Sequence, residues 1–105
     1  MQVQIRHDEN VTGDKNGWIE STVRDVLSRH GQEITTVEVH LADENGPKNS
    51  EGDIRASVEV RVAGFQPVAA TSHGNDVGLA LESALTKVCR ILDDKLGRVR
   101  DHHPR

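Results

Sequence analysis

Along TTVEVHLAD, residues 35–43, apolar and polar side chains alternate: Val37, Val39 and Leu41 fall on one side, Thr36, Glu38 and His40 on the other. DIRASVEVRVAG repeats the pattern over a longer span. There Ile54, Ala56, Val58, Val60 and Val62 share one side, and Arg55, Ser57, Glu59 and Arg61 the other. AGFQP then reads as a turn and PVAATSH as a third strand of the group. Such a period of two predicts an antiparallel sheet covered on one face and solvated on the other. QVQIR, at 2–6, alternates too, with Val3 and Ile5 on one side, and adds a short strand near the start.

Elsewhere the period changes to that of a helix. From about residue 15 to 30, Ile19, Val23, Val26, Leu27 and His30 fall within one helical arc. Thr12, Asp14 and Asn16 are candidate caps before it, and Gly31 a candidate stop after it. From about 75 to 100 a longer apolar stripe runs through Val77, Ala80, Leu81, Ala84, Leu85, Val88, Leu92, Leu96 and Val99. The order is β-α-β-β-β-α, an α+β fold in which two helices pack on one face of a four-stranded sheet. No repeat or interdomain linker interrupts it, so residues 1–105 read as a single domain, with a frayed tail at 101–105.

Between the second and third strands lies LADENGPKNSEGDI, rich in acids, asparagine and glycine. A calcium loop of the EF-hand type needs oxygens at alternate positions and glycine at its sixth. Counting from Asp43, Pro47 and Lys48 occupy the fifth and sixth positions, so the pattern fails. Residues 44–52 read instead as the solvated, mobile tip of a hairpin.

Composition narrows the function classes. The opening MQVQIRHDEN has no apolar signal segment, and no apolar run is long enough to span a membrane, so a cytoplasmic protein is expected. Cys89 is the only cysteine, which removes an internal disulfide and a cysteine-based zinc site. It borders the apolar stripe, where a thiol is inert by default. With Trp18 and Phe65 as the only aromatics, base stacking on a sheet of exposed rings is disfavoured. The formal charge of −4 argues against coating nucleic acid by bulk attraction.

No Walker loop, GxGxxG, GxSxG or HExxH motif is present. His102 and His103 adjoin each other in the tail, which gives them no second shell for a metal, and His7, Asp8 and Glu9 could bind a cation weakly but read as a polar loop. His40 and His73 fall on or near the open sheet face without a nucleophile or oxyanion donor beside them. The reading is a protein that is not an enzyme and needs no cofactor or metal.

The outer side of the second helix is more informative. At 100° per residue, Lys87, Arg90 and Arg98 lie within about 80° of one another, away from the apolar stripe. Asp94 stands four residues from both arginines and can pair with either. One reading is a solvated face laced with ion pairs. The other is a ridge of phosphate contacts, extended by Lys95 and Arg100, and by Arg24 and Arg29 if the two helices run side by side.

Over nearly its whole length the chain resembles the ribosome hibernation-promoting factors and ribosome-associated inhibitors, also known as sigma-54 modulation proteins. The likeness rests on MQVQI, on TTVEVHL after the first helix, on DIRASVEVRVAG, and on PVAATSHGND running into ALESALTKVCRIL. Asp76, Lys87 and Arg90 stand where that family's last helix carries an acid, a lysine and an arginine. The resemblance implies a fold akin to double-stranded-RNA-binding domains and docking on RNA and protein of the small ribosomal subunit. There such proteins block translation during stress or stationary phase. It implies a short form, a monomer or weak homodimer, with no membrane and no small-molecule substrate. The sequence departs from the family at DDKLGRVRDHH, where Asp93 and Asp94 replace expected positive charge. The competing reading keeps the fold as a protein-interaction or self-association module without RNA. A contiguous patch of Lys87, Arg90, Lys95, Arg98, Arg100, Arg24 and Arg29 favours the first reading, and interleaved carboxylates favour the second.

Overall fold

A computed structural model describes residues 1–8, 16–43 and 54–100, with side chains as far as Leu96. The elements are β1 (Gln2–His7), α1 (Asn16–Val26), a 3-10 turn (Ser28–His30), β2 (Ile34–Asp43), β3 (Ile54–Val62), β4 (Val68–Gly74) and α2 (Val77–Arg100). The expected β-α-β-β-β-α order holds. The hairpin tip 44–52, the candidate caps Thr12 and Asp14, Glu9 and the tail lie outside the described residues.

The sheet is four-stranded with the order β1-β2-β3-β4. β2, β3 and β4 pair antiparallel, as their alternation indicates, while β1 lies parallel to β2. That change of sense follows from the chain path, because parallel neighbours need a crossover and α1 supplies it. Val37 pairs with Val60 and Val39 with Val58. These four side chains, with Leu41 and Ala56, are fully buried under the helices. Ile19, Val23 and Leu27 cover them from the α1 side, and Leu81, Leu85 and Val88 from α2. α2 lies over β3 and β4, and α1 over β1.

The two helices run side by side in the same direction. A methyl group on Gly78 would stand 3.4 Å from the Trp18 ring, so the two helix starts adjoin. Further along, the Cys89 thiol donates to the Val26 carbonyl at 3.6 Å, and beyond that His30 meets Asp93.

The first helix corrects the sequence reading in three places. The pattern predicts one helix from about 15 to 30, but the chain leaves α geometry after Val26. His30 N–H donates to the Leu27 carbonyl and Gly31 N–H to Ser28, each at 3.0 Å. Such three-residue bonds tighten the turn and place His30 against α2. Val26, expected within the buried arc, is 38% exposed, because it sits at the margin of that arc. Gly31 does end the turn but stays right-handed, with φ −59°, so no left-handed glycine cap forms. Among the described residues only Gly64 has positive φ (83°), in the β3–β4 turn, where Phe65 N–H donates to the Val62 carbonyl.

The junction of β4 and α2 depends on two residues. Asp76 Oδ1 accepts the Leu79 N–H at 2.9 Å, satisfying one of the free donors at the helix start. Gly74 lets the chain double back closely. A methyl group there would lie 2.7 Å from the Ala80 nitrogen and 2.9 Å from Leu79 Cβ. Replacing Gly74 with alanine is therefore expected to cost about 1–3 kcal/mol, through backbone displacement, in chemical denaturation. Val60→Asp is expected to leave the chain unfolded by circular dichroism. The fully buried site offers the carboxylate no partner, and the loss is of the order of the whole stability.

Candidate nucleic-acid interface

Lys87 and Arg90, one turn apart on α2, both face solvent. The Lys87 ammonium also donates to the backbone carbonyl of Thr71 on the edge strand β4, at 3.0 Å. Arg90 makes no ion pair among the described residues. Lys95 is exposed as well, but it stands about 140° round the helix from Arg90, so the two do not share a face. Arg98 and Arg100 belong to the last turn of α2, and their side chains lie outside the described residues.

α1 contributes less positive charge than its arginines suggest. Arg24 Nε bonds Glu20 at 3.0 Å, four residues back on the same helix, and a second nitrogen reaches down to the Met1 carbonyl at 3.1 Å. Arg29 pairs with Asp93 of α2. The other oxygen of Asp93 accepts the Nε2–H of His30 at 2.8 Å. Asp93, one of the two acids that interrupt the expected basic run, is thus a clasp between the end of α1 and α2. His30 is only 4% exposed, and among the described residues its Nδ1 has no partner. Burial, and then the Asp93 carboxylate, push the neighbouring Cys89 thiol above its ordinary value, with Arg29 opposing. A raised pKa keeps the thiol protonated near neutrality, the form that is the weaker nucleophile.

The structure therefore brings Lys87 and Arg90 together on one outward face and ties Arg24 and Arg29 to carboxylates. A second surface escaped sequence reasoning. The uncovered face of the sheet carries a hollow of about 520 Å³ lined by Arg6, Glu38, His40, Ser57, Glu59 and Thr71 among others. Glu38 and Glu59 stand directly opposite each other there, with Arg61 3.5 Å from Glu59. His40 donates to Asp8 at 2.9 Å and His7 to Asn16 at 2.6 Å. The residues HD of the polar run thus pin β1 to β2 and to the start of α1. Alternation places His40 on the open face, but only the β1–β2 register, absent from any local pattern, brings Asp8 to it. Among the described residues no group of three or more histidine, cysteine, aspartate or glutamate side chains is arranged to hold a metal. Nor is any of their helices long and apolar enough to cross a membrane.

The clasp yields a direct test. Asp93→Ala leaves the buried His30 ring without a hydrogen bond and is expected to lower stability by about 1–3 kcal/mol in thermal or chemical denaturation. Arg29→Ala, which removes only the solvent-screened member, is expected to cost under about 1 kcal/mol.

No protein-family model matches the sequence, and no curated protein matches it. Solved structures do. The chain is similar to a ribosomal subunit interface protein from Coxiella burnetii, with a TM-score of 0.71 and 13% identity over 92% of this chain and 99% of that one. It is also similar to the N-terminal domain of Protein Y from Thermus thermophilus, with a TM-score of 0.65 and 18% identity over 87% and 99%. At these identities the likeness is one of fold, and the fold is the α+β arrangement that the resemblance implied.

Proposed function

We propose that this chain is a cytoplasmic, ribosome-associated protein that docks on the small ribosomal subunit and holds back translation in stress or stationary phase, acting by binding and not by catalysis. The observation that carries this reading is the fold likeness to a ribosomal subunit interface protein over nearly the whole of both chains. The chemistry of α2 supports it. A long helix is a rigid mount, and Lys87 and Arg90 present an ammonium and a guanidinium on one exposed face of it. Sequence-independent contacts to phosphate oxygens need little more than that.

The net charge of −4 works in the other direction, and so does the engagement of Arg24 and Arg29 with carboxylates. Both favour the second reading, an interaction module that keeps the fold without binding RNA. The two readings part on the salt dependence of ribosome binding. Each neutralised phosphate adds roughly −0.7 to −0.9 to the slope of log affinity against log salt. Under the ribosome reading the chain pellets with small subunits at low salt and dissociates as salt rises. Converting Lys87 and Arg90 together to glutamate is expected to weaken co-sedimentation at least tenfold while circular dichroism stays native. Wild-type chain that stays in the supernatant at low salt, or a double variant that pellets equally well, overturns the ribosome reading in favour of the interaction module.

A further inference from the structure

The clasp between α2 and the turn after α1 joins three ionisable groups, and one carboxylate serves the other two. Asp93 pairs with the Arg29 guanidinium through one oxygen and accepts the Nε2–H of His30 at 2.8 Å through the other. The two donors are placed very differently. The Arg29 side chain is 64% exposed, whereas that of His30 is 4% exposed. While His30 is neutral, Arg29 is the one cation on Asp93, and the pair carries no net charge.

Position on the helix ties the clasp to the candidate site. Lys87, Arg90 and Asp93 are spaced three residues apart on α2, so each step turns about 60° round the helix and rises about 4.5 Å. Lys87 stands on the β4 side, where it meets Thr71, and Asp93 on the α1 side. Arg29 therefore lies at the end of a row that begins with Lys87 and Arg90. Its pairing with Asp93 withholds it from an outside anion.

We propose that protonation of His30 transfers Asp93 from Arg29 to the imidazolium and frees Arg29 as a third phosphate contact beside Lys87 and Arg90. Histidine is the side chain that ordinarily changes charge between about pH 5 and 8. The Nε2–H bond to Asp93 is already made, and it gains charge assistance when the ring becomes a cation. The incoming proton goes to Nδ1, which among the described residues has no partner, so its arrival breaks no hydrogen bond. Two cations then share one carboxylate. The buried ring meets it in a low-dielectric setting, whereas the solvent-facing Arg29 is screened and belongs to the weakest class of ion pair. Arg29 is the one released.

On the elements around the ring, the described charged or titratable groups are Asp93 and Cys89 of α2, Asp25, Arg29 and Glu33 of its own segment, and the ammonium of Met1, which adjoins Gly31. Of these, only Asp93 bonds the ring. Burial keeps the Cys89 thiol protonated, so it offers the imidazolium no second anion. Ile34 and Val62, the buried strand residues at this end of the sheet, carry no charge. The cluster as a whole gains one positive charge on acidification. This inference rests on the phosphate reading of α2 and adds its regulation by pH.

Nuclear magnetic resonance of the wild-type chain without RNA tests the transfer itself. As the pH falls from about 8 to about 5.5, the His30 ring resonances are expected to titrate. The Arg29 Nε–H resonance is expected to move with the same midpoint toward that of a free arginine. In His30→Gln, which keeps an N–H for Asp93, the Arg29 resonance is expected to hold still. Co-sedimentation with small ribosomal subunits tests the consequence. On acidification the slope of log affinity against log salt is expected to steepen by roughly 0.7 to 0.9 more for the wild type than for His30→Gln or Arg29→Ala, the signature of one further phosphate. Comparison with these variants removes the general gain of charge at His7, His40, His73, His102 and His103. A His30 ring that stays neutral in the folded chain, an Arg29 resonance that does not follow it, or equal steepening in all three chains each overturns the proposal. Wild-type chain that pellets with subunits at neither pH overturns the ribosome reading and the phosphate contact with it, whereas the resonances judge the transfer separately.

Discussion

Burial of alternate residues along β2 and β3 fixes the rest of this chain. Six side chains in two paired strands, Val37, Val39, Leu41, Ala56, Val58 and Val60, lose all contact with water. Each buried valine or leucine contributes about 1.5–3 kcal/mol. Because the strand period is two, a slip of one residue would turn Thr36, Glu38 and Glu59 inward and turn the apolar set out to water. The register is therefore strongly specified, and what stands on the outer face follows from it. Arg6 beside His40, Glu38 beside Glu59 and Ser57 beside Thr71 are consequences of packing on the opposite side.

Several acids of this acidic chain are structural. Asp76 caps α2, Asp8 holds His40, and Asp93 holds Arg29 and His30. A count of formal charges treats these carboxylates as free repulsion toward a phosphate backbone. Of these, Asp76 accepts from a neutral backbone N–H and keeps its charge, whereas Asp93 is offset locally by the Arg29 guanidinium. The same engagement removes Arg29, and Glu20 removes Arg24, from the cations that a phosphate can reach without breaking an existing pair.

The strands and α2 were legible in the sequence to within a residue or two, because periods of two and of 3.6 are local signals and long runs repeat them. The core of Val37, Val39, Val58, Val60, Leu81, Leu85 and Val88 was legible for the same reason. The end of α1 was not. A tightening after Val26 changes the helical phase, and the periodic arc carries no mark of where that occurs. The side-chain partners of the candidate site were also hidden. Arg29 and Asp93 lie 64 residues apart, and His40 and Asp8 lie 32 apart. Their meeting depends on how the helices dock and which strands neighbour each other, which no spacing within a segment encodes. The cation face at Lys87 and Arg90 was readable because both sit on one helix, within a single turn.

Lys87 shows how closely the candidate site and the sheet are connected. Each helix sends one cation to a backbone carbonyl at one edge of the sheet, Arg24 to Met1 just before β1 and Lys87 to Thr71 on β4. The Lys87 ammonium is exposed, and a hydrogen bond of this kind contributes about 0.5–1.5 kcal/mol net. A phosphate oxygen offers the same group a charged acceptor, and charge-assisted bonds are roughly twice as strong as neutral ones. The ammonium has three donors, so it can keep one on Thr71 while turning another outward if the acceptor approaches from the α2 side. Where the acceptor comes from elsewhere, the bond to Thr71 must break and the middle of β4 opens to solvent. If α2 binds phosphate as proposed, the direction of its approach decides whether the far edge of the sheet stays closed.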